Sequence, residues 1–316
     1  MKIDLVYLWV DGDDPNWLER RSKYIEQTDQ TDKQSFCRGR LVDNEELRYS
    51  LRSVDRFAPW INHIFIVTDR QVPKWLDKKN TKITIIDHLD ILHKENLPVY
   101  NPNTIERAIH LIDGLSEHYI YANDDMMFGR ELSPQYFFTS KGKPICRFIE
   151  ADKLNTNNTF SQNIALANTT ISKDFDLECG RWKPHHQIDA YRKTDVSKCL
   201  EVYKDWSEAG LSNRFRKLGD MSRHIFSLYA IATDQGEKSI IKSPFNRTGI
   251  ISTIISLFLN DSQVVDISRP FMLLRVLLFR PKLICFNDTE RANDIHRVKL
   301  KKVLSQLYPN PSQYEK

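Results

Sequence analysis

The stretch YIYANDD, residues 119–125, decides the fold. Tyr119 to Ala122 has strand-forming residues and no helical face, so it reads as a buried strand. It runs directly into Asn123-Asp124-Asp125. In open α/β sheets, ligands bind beyond the carboxyl ends of the strands. Two carboxylates at such an end therefore mark a site for chemistry. In an extended chain Asn123 and Asp125 share a face, and Asp124 points away unless the chain turns there.

Working outward from this strand, Ile3 to Val10 is a second β run, closed by the turn Asp11-Gly12-Asp13-Asp14-Pro15. Ile61 to Thr68 and Lys82 to Asp87 read as two more strands. Helices lie between them. Asp43 and Glu46 have capping-box spacing. Leu47, Leu51, Val54 and Ala58 then share a helical face, and Pro59 stops the helix. Asn103 with Glu106 opens another helix, which Gly114 ends. The alternation predicts an α/β fold with a mostly parallel sheet. After about residue 150 the pattern changes. The polar, Asn- and Thr-rich residues 153–172 read as a loop or mobile flap, and helical periodicity dominates at 187–206 and 219–234. The expected organisation is a core over 1–150, a mainly helical basic portion over 151–283, and a C-terminal segment over 284–316 that returns to the site.

With 316 residues, 41% hydrophobic and 28% charged, the chain has the composition of a globular protein. A net charge of +4 does not point to nucleic acid as a partner. The positive charge is uneven: Arg181, Lys183, Arg192 and Lys193, then Arg214, Arg216, Lys217 and Arg223, with His185, His186 and His224 among them. That clustering suits a phosphorylated small molecule, because guanidinium groups grip phosphate bidentately. Five cysteines, an odd number without a CxxC pair, argue against a disulfide framework or a zinc site and point to a reducing, cytoplasmic setting. Asp4 and Asp11 interrupt the N-terminal apolar run, so it does not read as a signal peptide. The most hydrophobic region, Gly249 to Phe286, is broken by Asn260, Asp261, Asp266, Arg269 and Pro270. Within it, residues 271–279 are flanked by Arg269, Arg280 and Lys282. A core helix or strand is the first expectation for them, and a peripheral contact with an anionic membrane the second.

Three strands finish in acid: Asp11, Asp69 and the Asp124-Asp125 pair. Such carboxylates repel unless a cation joins them, and hard oxygen ligands suit Mg²⁺ or Mn²⁺ shared with substrate phosphates. Asp69 and Asp87 read instead as local caps. The sequence has no GxGxxG, no Walker-type loop and no GxSxG elbow, which removes the common dinucleotide, P-loop and α/β-hydrolase chemistries. A diphosphate would then be held by metal and basic side chains.

The blocks in their order resemble the Stealth family of sugar-phosphate transferases. The first is IDLVYLWVDGDD at 3–14. The second is DNEELRYSLRSVDRFAPWINHIFIVTDRQVPKWL at 43–76, continuing to HYIYANDDMMFG at 118–129. The third is KPHHQIDAYRK at 183–193 with NRFRKLGDM at 213–221. The fourth is ICFNDTE at 284–290, with the ending LYPNPSQYEK at 307–316. The resemblance implies a GT-A-like nucleotide-sugar fold with added helices. It implies transfer of a hexose-1-phosphate or N-acetylhexosamine-1-phosphate from a UDP-sugar donor to a saccharide acceptor. By position it implies catalytic roles for Asp11, His185, Arg216 and Asp220. It places donor binding at Asp43, Asn44, Arg48, Arg52, His186 and Arg214, and metal binding at Asp124, Asp125, Asn287 and Asp288. Where the family often has a second histidine, three positions before His185, this chain has Trp182, and His186 stands next to His185. The rival readings are a metal-dependent glycosyltransferase that moves the sugar alone and a non-catalytic sugar-binding scaffold.

Overall fold

The structure is a computed structural model and describes residues 1–25, 38–151, 154, 156–241 and 261–316. Cys37 and the 249–260 part of the apolar region lie outside the described residues. The main sheet is built from β1 (Ile3–Leu8), β2 (Ile64–Thr68), β3 (Ile83–Asp87), β4 (His118–Asn123) and β8 (Asp189–Arg192). Its strand order is β3-β2-β1-β4-β8. β1 to β4 are mutually parallel, and β8 adds antiparallel to β4. The α/β expectation with a mostly parallel sheet holds. Both faces are covered, as a parallel sheet requires. Leu5 and Tyr7 on one face pack with Leu47, Leu51 and Val54, which belong to α2 (Glu46–Phe57). Val6, Tyr119 and Tyr121 pack on the other face.

Strand order reverses at β1, which has β2 on one side and β4 on the other. That is the switch point at which α/β sheets leave a crevice. Register pairs Leu8 with Asn123, so the loop holding Asp11 and the Asn123-Asp124-Asp125 turn open into the same crevice. After the turn the chain leaves the main sheet. β5 (Met126–Phe128) joins a three-stranded sheet with β11 (Leu283–Asn287) and β10 (Ser262–Asp266). A third small sheet holds β6 (Ile145–Glu150), β7 (Trp182–Pro184) and β9 (Glu237–Ile241).

The acids at the ends of β2 and β3 do local work. Asp87 caps α3 (His88–Ile91), as its position suggests. Asp69 caps no helix and instead accepts from Arg20 of α1 (Pro15–Ile25) at 3.0 Å. Other local expectations are corrected. Asp43 and Glu46 form no capping box: Glu45 takes the left-handed conformation at φ 65° and α2 starts at Glu46. Asp43 Oδ1 instead accepts from the Glu45 N–H, while the Glu46 carboxylate folds back onto the Asn44 N–H. The cap of α4 (Pro102–Ala108) is Asn101, not Asn103, because Pro102 takes the first helical position and needs no N–H partner. Residues 159–175 are a helix, α5 (Thr159–Phe175), rather than a flap. Asn158 caps it, and Ile164, Ala167 and Ile171 at helical spacing bury one face. That stripe outweighs the polar composition.

The 187–206 periodicity resolves into β8 followed by α6 (Lys193–Val202) and α7 (Lys204–Ala209), and the later one into α8 (His224–Ala232). The expected boundary at residue 150 does not separate two cores. One apolar cluster joins Val6, Phe65 and Tyr121 to Ala167, Val196 and Ile225. The last helices are α9 (Pro270–Phe279) and α10 (Asp294–Leu307), packed behind β10 and β11. Among the described residues no helix is long and apolar enough to cross a membrane.

Candidate active site

Asp124 and Asp125 occupy a tight two-residue turn between β4 and β5. The turn is pinned on two sides. Tyr121 Oη lies 2.7 Å from Asn123 Oδ1 and 2.9 Å from Glu106 Oε1, sharing one O–H between two acceptors. The Phe286 N–H donates to the Asp125 carbonyl at 2.9 Å, so β11 fixes the far end. Because the chain turns here, Asp124 joins the acidic side of the crevice instead of pointing away.

The acidic groups crowd one another. Burial raises the Asp124 carboxyl well above its usual range, and Asp125, Glu46 and Asp43 push it further. Asp125 rises to about 6 through burial, opposed by the Cys285 thiol and by Arg40 and Arg223. Asp43 rises to about 6, first through burial and then through Asp11 and Glu45. Buried Glu46 rises to about 8. Asp125 Oδ1 is buried without a hydrogen-bond partner, while Oδ2 accepts from Cys285 Sγ at 3.3 Å. Mutually repelling carboxylates with an orphaned oxygen are what a divalent cation would relieve. Among the described residues no three His, Cys, Asp or Glu side chains form a closed metal cage. One or two carboxylates completed by phosphate oxygens are sufficient for Mg²⁺, so the residues fit such an ion.

The other wall is basic. β8 lies antiparallel to β4 with Asp189 opposite Tyr121. Asp189 Oδ1 lies 3.2 Å from Nε2 of buried His185, and Asp189 Oδ2 accepts from Arg223 at 2.9 Å. Burial works against ionisation of Asp189, but Arg223 and His185 hold it down at about 2. Arg223 also reaches Glu106 Oε1 at 3.2 Å and lies 4.7 Å over the Tyr121 ring. His186 takes the left-handed conformation at φ 58° and meets Phe160 edge-on, and the Arg216 guanidinium lies over that same ring. Burial first, then Arg223 and Arg40, push His186 down to about 4, so it is neutral at pH 7. The backbone beside Arg40 approaches Asp288 closely. A Cβ on Gly39 would sit 2.5 Å from the Asp288 carbonyl oxygen, so only glycine fits there.

The structure therefore brings Asp11, Asp43, Asp124, Asp125, His185, His186 and Arg216 to the crevice region. It gives other expected residues different work. Arg48 and Arg52 grip the C-terminal Glu315, with Arg48 Nε to Oε2 at 2.5 Å and Arg52 Nε to Oε1 at 2.6 Å, instead of facing a donor. Arg214 donates to the Pro98 carbonyl at 2.8 Å and stacks on Tyr24. Asp220 accepts from Asn101, Asn213 and the Lys217 N–H, which organises its own loop. Asp288 pairs with Arg297 at 2.8 Å and receives the Asn44 amide at 3.4 Å, so Asn44 and Asp288 form a buried brace rather than a donor contact or metal ligand. Asn287 ends β11 opposite Asp266 and hydrogen-bonds through its carbonyl to Ile267. Sequence reasoning did not assign Arg40, Glu46, Glu106, Asp189, Arg223 or Cys285 to the site. Arg223 stood in the basic cluster and Glu46 in the second block. The thiol contact of Cys285 left no sequence signal.

Comparison with known proteins follows the same blocks. The family model of Stealth protein conserved region 1 matches residues 1–29, and that of conserved region 2 matches residues 40–146. The exopolysaccharide phosphotransferase cps2G of Lactiplantibacillus plantarum is 32% identical over 74% of this chain and 76% of its own length. The receptor polysaccharide phosphotransferase WefC of Streptococcus oralis is 30% identical over 99% of both chains. Among solved structures, the galactosyltransferase LgtC with donor and acceptor sugar analogues superposes with a TM-score of 0.44 at 10% identity, covering 98% of this chain and 97% of that one.

Proposed function

The chain belongs to the Stealth family, and on that premise we propose that it moves a hexose-1-phosphate or N-acetylhexosamine-1-phosphate from a UDP-sugar to a saccharide hydroxyl. The product is a phosphodiester in capsular or cell-surface polysaccharide synthesis. One observation carries this reading: Tyr121 joins the acidic turn to the basic wall, its hydroxyl 2.7 Å from Asn123 Oδ1 and its ring 4.7 Å under the Arg223 guanidinium. A crevice with carboxylates on one side and guanidinium groups on the other suits a cation-bound diphosphate.

In this reading the acceptor oxygen attacks the β-phosphorus, forming an O–P bond. The bond from that phosphorus to the bridging oxygen breaks, and UMP leaves with the electron pair. Asp124 and Asp125 would hold Mg²⁺ or Mn²⁺, which when bound supplies charge neutralisation for the diphosphate. Arg223, fixed by Asp189 and Glu106, and Arg216 face charge on the transferring phosphoryl group. Asp189 orients His185 through Nε2, and the buried Nδ1 has no partner among the described residues. In this reading Nδ1 would take the hydroxyl proton, with Asp11 the alternative. The test is product analysis. With UDP-sugars, Mg²⁺ and candidate saccharides, phosphorus NMR is expected to show UMP and a phosphodiester. UDP as the only nucleotide product would overturn phosphoryl transfer in favour of sugar transfer.

A further inference from the structure

Helix α9 has the sequence PFMLLRVLLF and contains no acid. Its inner face, Leu273 and Val276, joins the cluster behind β10 and β11. Its outer face shows Phe271, Leu274 and Leu278, which are 72%, 51% and 66% exposed. Their spacing of three and four residues puts them in one stripe along the helix. A single exposed apolar side chain is ordinary, but a continuous stripe of three large ones is not. The neighbouring helix α10 repeats the pattern, with Ile295 and Val298 exposed at 65% and 56%.

The charge around these stripes has one dominant sign. Arg269 and Lys282 flank α9, and Arg130 is bonded to the carbonyls that close it. On α10, exposed Lys299, Lys301 and Lys302 follow Val298, and Asp294 in the first turn is its only acid. Asp261 and Asp266 offset Lys282 and Arg269 locally. Apolar stripes bordered by surplus lysine and arginine match the boundary layer of a bilayer carrying anionic headgroups.

We propose that α9 and α10 form a docking face for an anionic lipid surface. Phe271, Leu274 and Leu278 enter the acyl boundary, and Lys299 and Lys302 meet the headgroups. The same helices lead to the active site. Lys301 of α10 acts on Asp43, and β11 between the helices is bonded to Asp125. Docking would therefore hold the crevice at a fixed orientation to the membrane, whatever the identity of the donor.

The test uses the full chain and vesicle flotation. Vesicles of phosphatidylcholine containing about a third phosphatidylglycerol are expected to carry the protein, and pure phosphatidylcholine vesicles to carry at least about tenfold less. The triple variant Phe271→Ser, Leu274→Ser, Leu278→Ser should reduce binding by about tenfold or more, with unchanged melting temperature and unchanged turnover of a soluble acceptor. Lys299→Glu with Lys302→Glu should also weaken binding by about tenfold or more, because each lysine near an anionic surface adds to the attraction and each glutamate opposes it. Binding that survives the serine variant, or no binding to anionic vesicles, would overturn the proposal. So would a dimer that the same serine substitutions dissociate in light scattering, which would assign the face to a second copy.

Discussion

Replacing Asp125 with asparagine should stabilise the metal-free protein while sharply lowering its activity. The folded state raises the Asp125 carboxyl from 3.8 to about 6. A carboxyl raised in this way contributes stability that is fully present below its unfolded value and is lost as the pH rises through the folded value. A rise of that size corresponds to roughly 3 kcal/mol, which is a ceiling. The side chain is partly open to solvent, so about half of that is the working figure. The asparagine variant would escape this loss. Its amide oxygen can still accept from the Cys285 thiol, and its NH₂ takes the place of the orphaned Oδ1. In EDTA the variant should match the wild type near pH 4 and melt about 3–6 °C higher at pH 8, at roughly 2–4 °C per kcal/mol. Turnover should fall by about a hundredfold or more, the scale of losing one transition-state electrostatic contact. A variant that melts below the wild type at pH 8, or a gap that does not change with pH, would show that Asp125 is not held under electrostatic strain.

Three further outcomes follow from the same geometry. Mg²⁺ should raise the melting temperature more at pH 8 than at pH 5, because the ion competes with protons on Asp124, Asp125 and Asp43; equal rises at both values would count against a carboxylate site. Glu315→Gln should destabilise the fold by about 2 kcal/mol at pH 7, allowing for solvent around Arg48, with the donor KM unchanged. The Glu315 carboxyl is held down to about 2 despite partial burial, by Arg52, the Ser312 N–H and Arg48. Its contribution is present above its unfolded value of 4.5 and fades as the pH falls towards 2, which urea unfolding across that window measures. A raised KM with normal stability would return Arg48 and Arg52 to the donor site. Asp189→Asn should lower kcat by about 10- to 100-fold, as loss of an orienting partner does, with donor KM within about twofold. A change confined to KM would remove His185 from proton transfer.

How much of this was legible depended on whether the signal was local. The four parallel strands and the acidic turn were readable because each is a short apolar run ending in an unmistakable residue. The Stealth blocks then indicated which distant segments matter. What could not be read was the pairing between distant residues. Arg48 and Arg52 look like anion-binding arginines until Glu315, more than 260 residues away in sequence, is seen between them. Asp288 looks like a ligand until Arg297 is found on it. The helix at 159–175 was hidden by its Asn and Thr content, since three buried apolar positions determine its face.

β4 explains why the two halves of the site depend on one another. Along its length it pairs with β1 on one edge and β8 on the other. Its register sets Leu8 opposite Asn123, and Tyr121 opposite Asp189. The acidic turn and the Asp189–His185–Arg223 group are thus placed by a single strand, with Tyr121 touching both: its hydroxyl is on Asn123 and its ring under Arg223. A shift of one residue would turn Tyr121 to the opposite face and separate the two walls. The side chain of Tyr121 is fully buried, so Tyr121→Phe keeps the packing and removes only the shared hydroxyl. That change frees Asn123 and Glu106 together. Its cost should appear in kcat for phosphoryl transfer more than in melting temperature, because the strand, the ring under Arg223 and the Arg223 ion pairs stay in place while Asn123 and Glu106 lose their shared donor. Wild-type kcat with a lowered melting temperature would mean that the hydroxyl braces the core and does not couple the two walls.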